Sequence, residues 1–457
     1  LLFHASSNPM FKRILIANRG AVASRVQRAV RALGATPVIV YSEADAELPY
    51  VRTAEEAYCI GPPPALRSYL DGEAILAVAR AAKVDAIHPG YGFLSEKAGF
   101  AEATHAAGMT FIGPTARWLD AMGHKTRARA LMAAHGMPVA PSSEVLTGSL
   151  DARVEQATAI GFPLLVKPAG GGGGIGMIAV ESPADLAPAL EKAQALALRN
   201  FACADVYVER LLSRPRHIEV QILADTHGHA MHLFERDCSV QRRHQKVIEE
   251  AAAPGLERAS LDALAQRCAA ILGGLGYDNI GTVETLHDPA VGFSFLEMNT
   301  RLQVEHGVTE EITGVDIVQA QIRLAAGAHL SDVMPAPPRI TGHALQMRIY
   351  AEDPVRFIPS PGTLTTFRLP DDPSIRVETG YAQGCKVTPY YDPMIAKVIV
   401  HGSDRPDAIA RARDALARIA IEGVKTNVPF LGRVLESTEF LEARHDTHLA
   451  ERLNAAR

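Results

Sequence analysis

LLVKPAGGGGGIGMIAV, residues 164–180, places a run of glycines between two apolar segments. Residues 171–176 formally satisfy the pattern G-x-G-x-x-G. A dinucleotide-binding turn requires a helix directly after the glycines, but a second short apolar, β-branched run follows here. A Walker-type phosphate loop is excluded as well, because Met177 and not a lysine follows Gly176. The stretch therefore predicts a strand, a glycine loop and a second strand.

A loop of this kind has backbone amides that no side chain obstructs, so it can fold over phosphate groups. Lys167 ends the first predicted strand and supplies a positive charge beside the loop. The alternative is a mobile surface linker, but linkers are seldom flanked by apolar strands. We therefore predict a lid that covers phosphates.

The composition is that of a soluble globular protein. The chain has 457 residues, which suggests about three domains. Hydrophobic residues make up 47% and charged residues 21%, and no apolar run approaches the ~18 residues of a membrane span. The first residues lack the features of a signal peptide, so we expect a cytoplasmic protein without a membrane partner.

Cysteine spacing and net charge exclude further classes. The five cysteines include no C-x-x-C pair, which argues against a disulfide framework and a structural zinc site. Lys and Arg number 46 against 51 Asp and Glu, so no overall positive charge attracts a nucleic acid. Any anion site must be local.

The hydrophobic pattern divides the chain into regions. Residues 1–9 show no periodicity and are interpreted as an expression scar. Residues 10–123 alternate strands with helices and predict an open, largely parallel α/β unit, with one helical face formed by Val22, Val26, Val30 and Leu33. Residues 124–335 mix helices with hairpin-like strands and contain the glycine loop. Residues 336–457 alternate short strands with turns and end in a helical segment.

A hairpin is predicted around residues 279–301, where two strand-like runs flank the turn signal at 288–292. Glu284 and Glu297 are nearly equidistant from the turn, so their carboxylates should face one another. Asn299 shares a strand face with Glu297 and adds an amide oxygen. Oxygen ligands without His or Cys suit Mg²⁺ or Mn²⁺. The alternative, ordinary solvent-facing glutamates, is less favoured beside a phosphate lid.

Positive charge is concentrated between residues 236 and 246. Alternation along an extended strand would place Arg242, His244 and Lys246 on one face, where their donors suit a small oxyanion. A solvated charged strand is the alternative. In the segment NTRLQVEH, an extended chain would align Arg301, Gln303 and Glu305, and a carboxylate beside a cation can act as a general base or simply form a salt bridge.

Together these segments predict a site for a nucleotide, a divalent metal and an oxyanion. The motifs that carry a wider similarity are, in order, ILIANRG, IHPGYGFLSE, FIGP, KPAGGGGGIGM, PRHIEVQI, ERDCSVQRRHQKVIEE, GTVE, LEMNTRLQVEH, RIYAEDP and YYDPMIAK. On these motifs the chain resembles the biotin carboxylase component of biotin-dependent carboxylases, an ATP-grasp enzyme. The resemblance runs from about Met10 to the C-terminus.

The resemblance implies an α/β fold, α+β in its later part, with an N-terminal biotin carboxylase domain at 10–123. It further implies an ATP-grasp domain at 124–335, with a lid at about 140–211, and a C-terminal domain at 336–457. It also assigns roles. The implied ATP contacts are Lys125, Lys167, Gly172, Gly173, Gly174, Glu209, Leu211, His217, Gln241, His244 and Leu286.

The remaining implied roles concern the metal, bicarbonate and biotin. Glu284 and Glu297 match metal ligands, with Asn299 close by. The implied bicarbonate pocket consists of Lys246, Arg301, Gln303 and the backbone of Val304. Glu305 matches the base that deprotonates bicarbonate, and Arg348 matches the arginine that stabilises the enolate form of biotin.

The implied reaction has two steps, in which bicarbonate attacks ATP to form carboxyphosphate and biotin then captures the released CO₂. The resemblance implies a homodimer, a carboxyltransferase component and a biotin carboxyl carrier, whose usual Met-Lys-Met signature does not occur in this chain. The final acceptor, whether acetyl-CoA, propionyl-CoA, a longer acyl-CoA, pyruvate or urea, stays open.

The chain departs from the family pattern at Ala21, Ile175, Arg210 and Gly307, where glutamate, arginine, lysine and proline are usual. None of these positions takes part in the chemical steps. Two alternatives remain open: another ATP-grasp ligase, such as carbamoyl-phosphate synthetase or a glycinamide ribonucleotide ligase, and a catalytically silent ATP-binding scaffold.

Overall fold

The computed structural model describes residues 11–170, 176–201 and 203–455. Its first part contains the strands β1 (Arg13–Ile16), β2 (Thr36–Tyr41), β3 (Glu56–Cys59), β4 (Ala86–His88) and β5 (Thr110–Phe111). Its helices are α1 (Gly20–Ala32), α2 (Pro49–Arg52), α3 (Gly72–Ala81), α4 (Ala98–Ala106) and α5 (Ala116–Gly123). The strands form one parallel sheet in the order β3-β2-β1-β4-β5, which confirms the predicted open α/β unit.

Helix α1 shows why this unit folds as the pattern predicts. Val22, Val26 and Val30 are buried at the spacing of one helical face. Leu33 is only partly buried, because the helix has already ended at Ala32 and Leu33 is its C-cap. The predicted face is therefore confirmed except at its last residue.

A small antiparallel sheet carries the glycine loop. The next elements are α6 (Lys125–Ala134), α7 (Leu150–Thr158), β6 (Leu164–Pro168), β7 (Ile178–Val180), α8 (Pro183–Phe201) and β8 (Val206–Arg210). Leu164 pairs with Val180, so β6 and β7 are antiparallel neighbours and the predicted order of strand, loop and strand is confirmed. Residues 171–175 lie outside the described residues, so the loop's closure over phosphates stays a prediction.

The remaining elements comprise a large sheet, which carries most of the site, two small two-stranded sheets and the helices around them. They are β9 (Arg216–Ala224), β10 (Ala230–Arg242), β11 (Gln245–Ala251), α9 (Arg258–Leu275), β12 (Asn279–Asp288), β13 (Gly292–Asn299), α10 (His306–Thr313), α11 (Ile317–Ala325), α12 (Leu330–Val333), β14 (His343–Tyr350), β15 (Gly362–Thr363), β16 (Thr366–Arg368), β17 (Ile375–Thr379), β18 (Lys386–Val387), β19 (Met394–Gly402), α13 (Arg405–Ala417), β20 (Ala420–Glu422), α14 (Val428–Glu436), α15 (Thr438–Leu441) and α16 (Leu449–Ala455). Eight strands lie in the order β13-β12-β9-β10-β11-β14-β19-β17.

The pairing of β11 with β14 joins the second and third sequence regions in one sheet. The core is continuous as well, since Val26 of the first region belongs to the same buried cluster as Ile349 and Val398 of the third. The regions thus pack together and do not hang on flexible linkers. Among the described helices, none has both the length and the apolarity needed to cross a membrane.

Candidate active site

A cleft of about 570 Å³ opens between the small sheet and the large sheet. Every predicted site residue within the described part of the chain lines it: Lys125, Lys167, Glu209, Leu211, His217, Gln241, His244, Lys246, Glu284, Leu286, Glu297, Asn299, Arg301, Gln303, Val304, Glu305 and Arg348. Gly172, Gly173 and Gly174 lie outside the described residues. Side chains from distant parts of the sequence thus meet at one place.

The two hairpin carboxylates face one another as expected, because Glu284 is the register partner of Glu297 in the β12–β13 pair. Each has a cation nearby. Lys246 Nζ lies 2.8 Å from Glu284 Oε1, and Lys125 Nζ lies 3.1 Å from Glu297 Oε2. Asn299 Nδ2 donates to Glu284 Oε1 at 2.8 Å. Burial raises the pKa of Glu284, but Lys246 and His217 outweigh it and hold that pKa well below its usual range.

Lys246 is shared by three carboxylates. Its Nζ donates to Glu219 Oε2 at 2.6 Å, to Glu284 and to Glu305 Oε1 at 2.6 Å. Burial lowers the pKa of Lys246, but these carboxylates raise it well above its usual value, so the ammonium stays charged. Glu219 also accepts a bond from the buried Arg236 at 2.5 Å. We did not predict Glu219, although it lies two positions after His217 and strand alternation places it on the same face.

Glu305 is fully buried between two cations. Lys246 binds Oε1, and an Arg348 terminal nitrogen donates to Oε2 at 3.0 Å. Burial raises the pKa of Glu305, but Lys246 and Arg348 bring it far below its usual range, so the side chain is a carboxylate. Arg348 Nε also donates to Glu249 Oε1 at 2.5 Å. Burial keeps the pKa of Glu249 above its usual value, and the nearby Glu305 adds to this in spite of Arg348.

Arg301 and Gln303 lie beside the carboxylate pair, but not on an extended strand. Strand β13 ends at Asn299, and Glu305 is the N-cap of α10, so the alignment that an extended segment would give does not form. The side chains still converge on the cleft. Arg301 donates to Asn299 Oδ1 at 2.8 Å and to Gln303 Oε1 at 3.0 Å. Its Nε donates at 2.9 Å to Glu96, a residue of the first region that we did not predict.

The predicted common face of Arg242, His244 and Lys246 is wrong. Arg243 and His244 have positive φ angles of 49° and 62°, and Gln241 pairs with Lys246, so a two-residue turn separates β10 from β11. Such a turn returns the chain and puts Arg242 on the face opposite to Lys246. Arg242 instead donates to Glu352 at 2.9 Å and lies 4.7 Å over the Tyr350 ring. His244, within the turn, still lines the cleft.

At the other end of the cleft, basic and apolar side chains surround Glu209. Lys167 and Arg129 both bind its carboxylate, Arg129 at 2.6 Å. Burial raises the pKa of Glu209, but Lys167 and Arg129 hold it below its usual value. Leu286 is the cross-strand partner of His217, whose Nδ1 lies 3.1 Å from Gln241 Nε2.

The C-terminal segment adds Thr447 and His448 to the cleft lining, which no sequence motif had indicated. Of the four unusual positions, Ile175 lies outside the described residues. Arg210 is exposed at the cleft, and Ala21 is buried in α1. A Cβ added to Gly307 would lie 2.4 Å from Ile399 Cδ1, so this isoleucine occupies the space of a side chain at 307.

The sequence matches three protein-family models. They are described as "Biotin carboxylase, N-terminal domain" at residues 10–119, "Carbamoyl-phosphate synthase L chain, ATP binding domain" at 124–333 and "Biotin carboxylase C-terminal domain" at 346–452. A biotin carboxylase of Halalkalibacterium halodurans is 48% identical over 94% of this chain and 95% of its own length.

Two solved structures are similar over almost the whole chain. A biotin carboxylase complex with β,γ-ATP from Campylobacter jejuni aligns with a TM-score of 0.93 and 40% identity, covering 97% of this chain and 99% of that one. The biotin carboxylase domain dimer of 2-oxoglutarate carboxylase from Hydrogenobacter thermophilus, with MgADP and bicarbonate, aligns with a TM-score of 0.92 and 39% identity, covering 97% and 98% of the two chains.

The fold is thus that of an ATP-grasp ligase with a mixed α/β architecture. The chain belongs to the biotin carboxylase family.

Proposed function

We propose that this chain catalyses the ATP-dependent carboxylation of biotin by bicarbonate, with ADP and phosphate as the other products. The observation that carries the proposal is the position of Glu305. Its ionised carboxylate lies between Lys246 and Arg348, in the same cleft as the Glu284–Glu297 pair. A candidate base thus lies next to candidate metal and anion sites. The family membership and the full-length likeness to solved biotin carboxylases support the same activity.

We propose that the end of the cleft around Glu209 holds the nucleotide. Glu209, in strand β8 of the small sheet, and Leu211, directly after that strand, would receive the adenine, with Leu286 packing near the base. The proposed ribose and phosphate contacts are Lys125, Lys167, His217, Gln241 and His244, together with Gly172, Gly173 and Gly174 of the lid. Lys167 is bound to Glu209 in the structure, so it must leave that carboxylate, at least in part, to bind a phosphate.

A divalent cation fits the carboxylate pair. The oxygens of Glu284 and Glu297, with Asn299 nearby, are the donors that Mg²⁺ or Mn²⁺ prefers, and the two carboxylates are register partners. Such an ion would neutralise charge on the transferring phosphoryl group. Lys246 and Lys125 neutralise the same carboxylates in the structure and would then be released to bind anionic substrates.

We propose that Lys246, Arg301, Gln303 and the Val304 backbone hold bicarbonate beside Glu305. Competition for Lys246 would weaken its hold on Glu305 and raise the pKa of that carboxyl, which makes it a better base once the anion is bound. Glu305 accepts the bicarbonate proton while a bicarbonate oxygen bonds to the γ-phosphorus and the bond to ADP breaks. The product of this step is carboxyphosphate.

In the second step, carboxyphosphate splits into CO₂ and phosphate beside biotin. Phosphate takes the ureido proton, and the biotin nitrogen bonds to CO₂. Arg348 would hold the oxyanion that develops on the ureido oxygen, because its charged guanidinium faces the cleft and is fixed by Glu249 and Glu305. Closure of the lid would exclude the water that hydrolyses carboxyphosphate.

We further propose that a carrier protein or domain presents the biotin, that a carboxyltransferase component consumes the carboxybiotin, and that the chain acts as a homodimer in the cytoplasm. The biotin carboxylase domain from Hydrogenobacter thermophilus is a dimer, which supports the proposed homodimer. We retain the domain division at 123/124 and 335/336 as a proposal, although one sheet crosses the second boundary.

The test is ADP release measured with each component omitted in turn. We expect slow turnover with Mg²⁺ and bicarbonate, and faster turnover when free biotin is added, because biotin consumes carboxyphosphate productively. Turnover that is indifferent to bicarbonate would contradict the proposal. Turnover stimulated by an amine or another carboxylate instead of biotin would favour a different ATP-grasp ligase, and the absence of any turnover would favour a silent scaffold.

A further inference from the structure

Two buried side chains bind successive carbonyl groups of the segment that precedes α10. His306 Nδ1 lies 2.7 Å from the carbonyl oxygen of Gln303, and Lys397 Nζ donates to the carbonyl oxygen of Val304 at 2.7 Å. His306 is fully buried and Lys397 is 1% exposed. Gln303 and Val304 line the cleft, but the two donors do not. The segment is therefore held from outside the cleft.

Because the peptide group is planar, a bond that fixes a carbonyl group also fixes the direction of the N–H group in the same peptide. In a trans peptide the N–H of one residue points opposite to the carbonyl of the residue before it. Fixing the Gln303 carbonyl therefore aims the Val304 N–H, and fixing the Val304 carbonyl aims the Glu305 N–H. Within the described part of the chain, the Val304 N–H donates to no protein group. Val304 is partly exposed and lines the cleft, so its N–H is available to water or to a group bound there.

The two donors are costly to bury, which indicates that their placement serves more than packing. Lys397 forms an ion pair at 2.7 Å with Glu378, which is itself fully buried. Burying both charges carries a large desolvation penalty, and a well-packed apolar pair often replaces such ions without loss of stability. The carbonyl oxygen of Gln303 can only accept, so His306 Nδ1 carries the proton of this bond. His306 Nε2 forms no hydrogen bond among the described residues.

We propose that His306 and Lys397 are positioning residues that aim the Val304 amide at the anion held by Lys246 and Arg301. The inference rests on the proposed function, because it takes that anion to be bicarbonate. The His306 ring sets the peptide plane between Gln303 and Val304, because its 2.7 Å bond to the Gln303 carbonyl is much shorter than the 3.4 Å bond from the backbone N–H of His306 to the same oxygen. Lys397 sets the next plane and with it the backbone that starts Glu305. Neither side chain touches the substrate.

The test compares His306→Leu with His306→Asn in bicarbonate-dependent ADP release. Asparagine places its amide nitrogen close to the position of Nδ1 and keeps the donor, whereas leucine removes it. We expect His306→Leu to raise KM for bicarbonate about tenfold, the loss expected for a hydrogen bond to an anion, with KM for ATP changed less than about twofold. His306→Asn should restore most of the bicarbonate affinity. Lys397→Met should raise the same KM.

The matched control is His343→Leu, which removes another buried histidine, bound at 2.8 Å to Glu250 outside the cleft. It should lower thermal stability without changing KM for bicarbonate. If wild type lacks bicarbonate-dependent turnover, the proposed function fails. If wild type shows it but His306→Leu and Lys397→Met keep the bicarbonate KM within twofold, or raise both KM values equally, the positioning role alone is overturned.

Amide hydrogen exchange supplies a readout that does not depend on turnover. Bicarbonate, added with MgADP, should slow exchange of the peptide spanning residues 302–306 in wild type and in His306→Asn. It should have little effect in His306→Leu. If bicarbonate slows amide exchange equally in His306→Leu and in wild type, His306 does not direct the Val304 N–H toward the anion and the proposal is contradicted.

Discussion

At the scale of single residues, the candidate site depends on cations that serve several carboxylates at once. Lys246 binds Glu219, Glu284 and Glu305, and Arg348 binds Glu305 and Glu249. Removing one member of such a buried set leaves the others uncompensated, which costs more than the loss of one exposed pair. Each substitution in this set therefore needs, as its control, a substitution at another residue of equal burial.

Glu305→Gln tests the base directly. Glutamine keeps the shape but accepts no proton, so we expect biotin carboxylation to fall by about 10²-fold or more, with little change in ATP affinity. Glu249→Gln is the matched control, because Glu249 is equally buried and also binds Arg348. It should cost less than about tenfold. Rates come from carboxybiotin formation and affinities from calorimetry. A similar loss in both variants would mean that charge balance, and not proton transfer, explains the effect.

At the scale of elements, sequence periodicity predicted the regular helices and strands. The nearly equal distances of Glu284 and Glu297 from the Asp288–Gly292 turn predicted that they face one another, and they do, but the turn alone does not explain it. Regular register from the turn would place Leu296 opposite Glu284, and a β-bulge between Glu284 and Thr285 shifts the pairing by one residue to Glu297.

Strict alternation along an extended strand failed at Arg243 and His244, where the chain turns. A tight primed turn is usually marked by Asn-Gly, and neither Asn nor Gly occurs at these two positions. Tertiary contacts, among them Arg242 with Glu352, hold that turn instead.

Helix α10 offers a test of packing beside the base. A Cβ on Gly307 would lie 2.4 Å from Ile399 Cδ1, so we expect Gly307→Ala to destabilise the protein by about 1–3 kcal/mol, the usual cost of overpacking. Ile399→Val removes the clashing methyl group. The double variant Gly307→Ala/Ile399→Val should therefore recover most of the lost thermal stability. If the second substitution lowers the melting temperature further, the contact is not the cause.

The junction of β11, β14 and α13 predicts a specific acid sensitivity. Burial raises the pKa of Glu250, but His343 and Arg405 outweigh it and lower that pKa to about 2. A carboxyl with a depressed pKa stabilises the fold above its unfolded pKa, about 4.5, and loses this contribution as pH falls toward 2. Glu250→Gln should lower the melting temperature at pH 7, and the difference from wild type should shrink between pH 4.5 and 2.

The exposed Glu102 of α4 supplies the control for that measurement. Glu102→Gln should change the melting temperature little at any pH. The contribution of Glu250 is up to ~3 kcal/mol from its depressed pKa. A constant gap between Glu250→Gln and wild type from pH 7 to pH 3 would contradict the assigned role of the ionised carboxylate.

At the scale of the whole molecule, the second and third sequence regions line the cleft, and the first region supports it from behind. Glu96 of the first region binds Arg301 of the second, and Arg348 of the third binds Glu305. The order of motifs was enough to predict the fold and the set of cleft residues. It did not predict the contact of Glu96 with Arg301 or the places of Thr447 and His448 in the cleft lining, because these depend on how the regions pack and not on any local period.

The proposed carrier gives a prediction at the same scale. Tethering biotin near the cleft raises its local concentration toward the millimolar range expected for flexible linkers. The cognate biotinylated carrier should therefore half-saturate the enzyme at a far lower concentration than free biotin. The measurement compares both substrates side by side in the carboxylation assay, with the unbiotinylated carrier as control. Equal half-saturating concentrations would contradict a carrier-dependent enzyme.

The central claim is that this cleft transfers the carbon of bicarbonate to biotin at the expense of ATP. The most direct measurement is the transfer of ¹⁴C from labelled bicarbonate into carboxybiotin, followed together with ADP release in the presence of Mg²⁺. We predict that wild type labels biotin only when both ATP and Mg²⁺ are present. In Glu305→Gln, both the label in biotin and the biotin-stimulated ADP release should be lost. ADP release that biotin stimulates without label appearing in biotin, or labelling that persists undiminished in Glu305→Gln, would contradict the account.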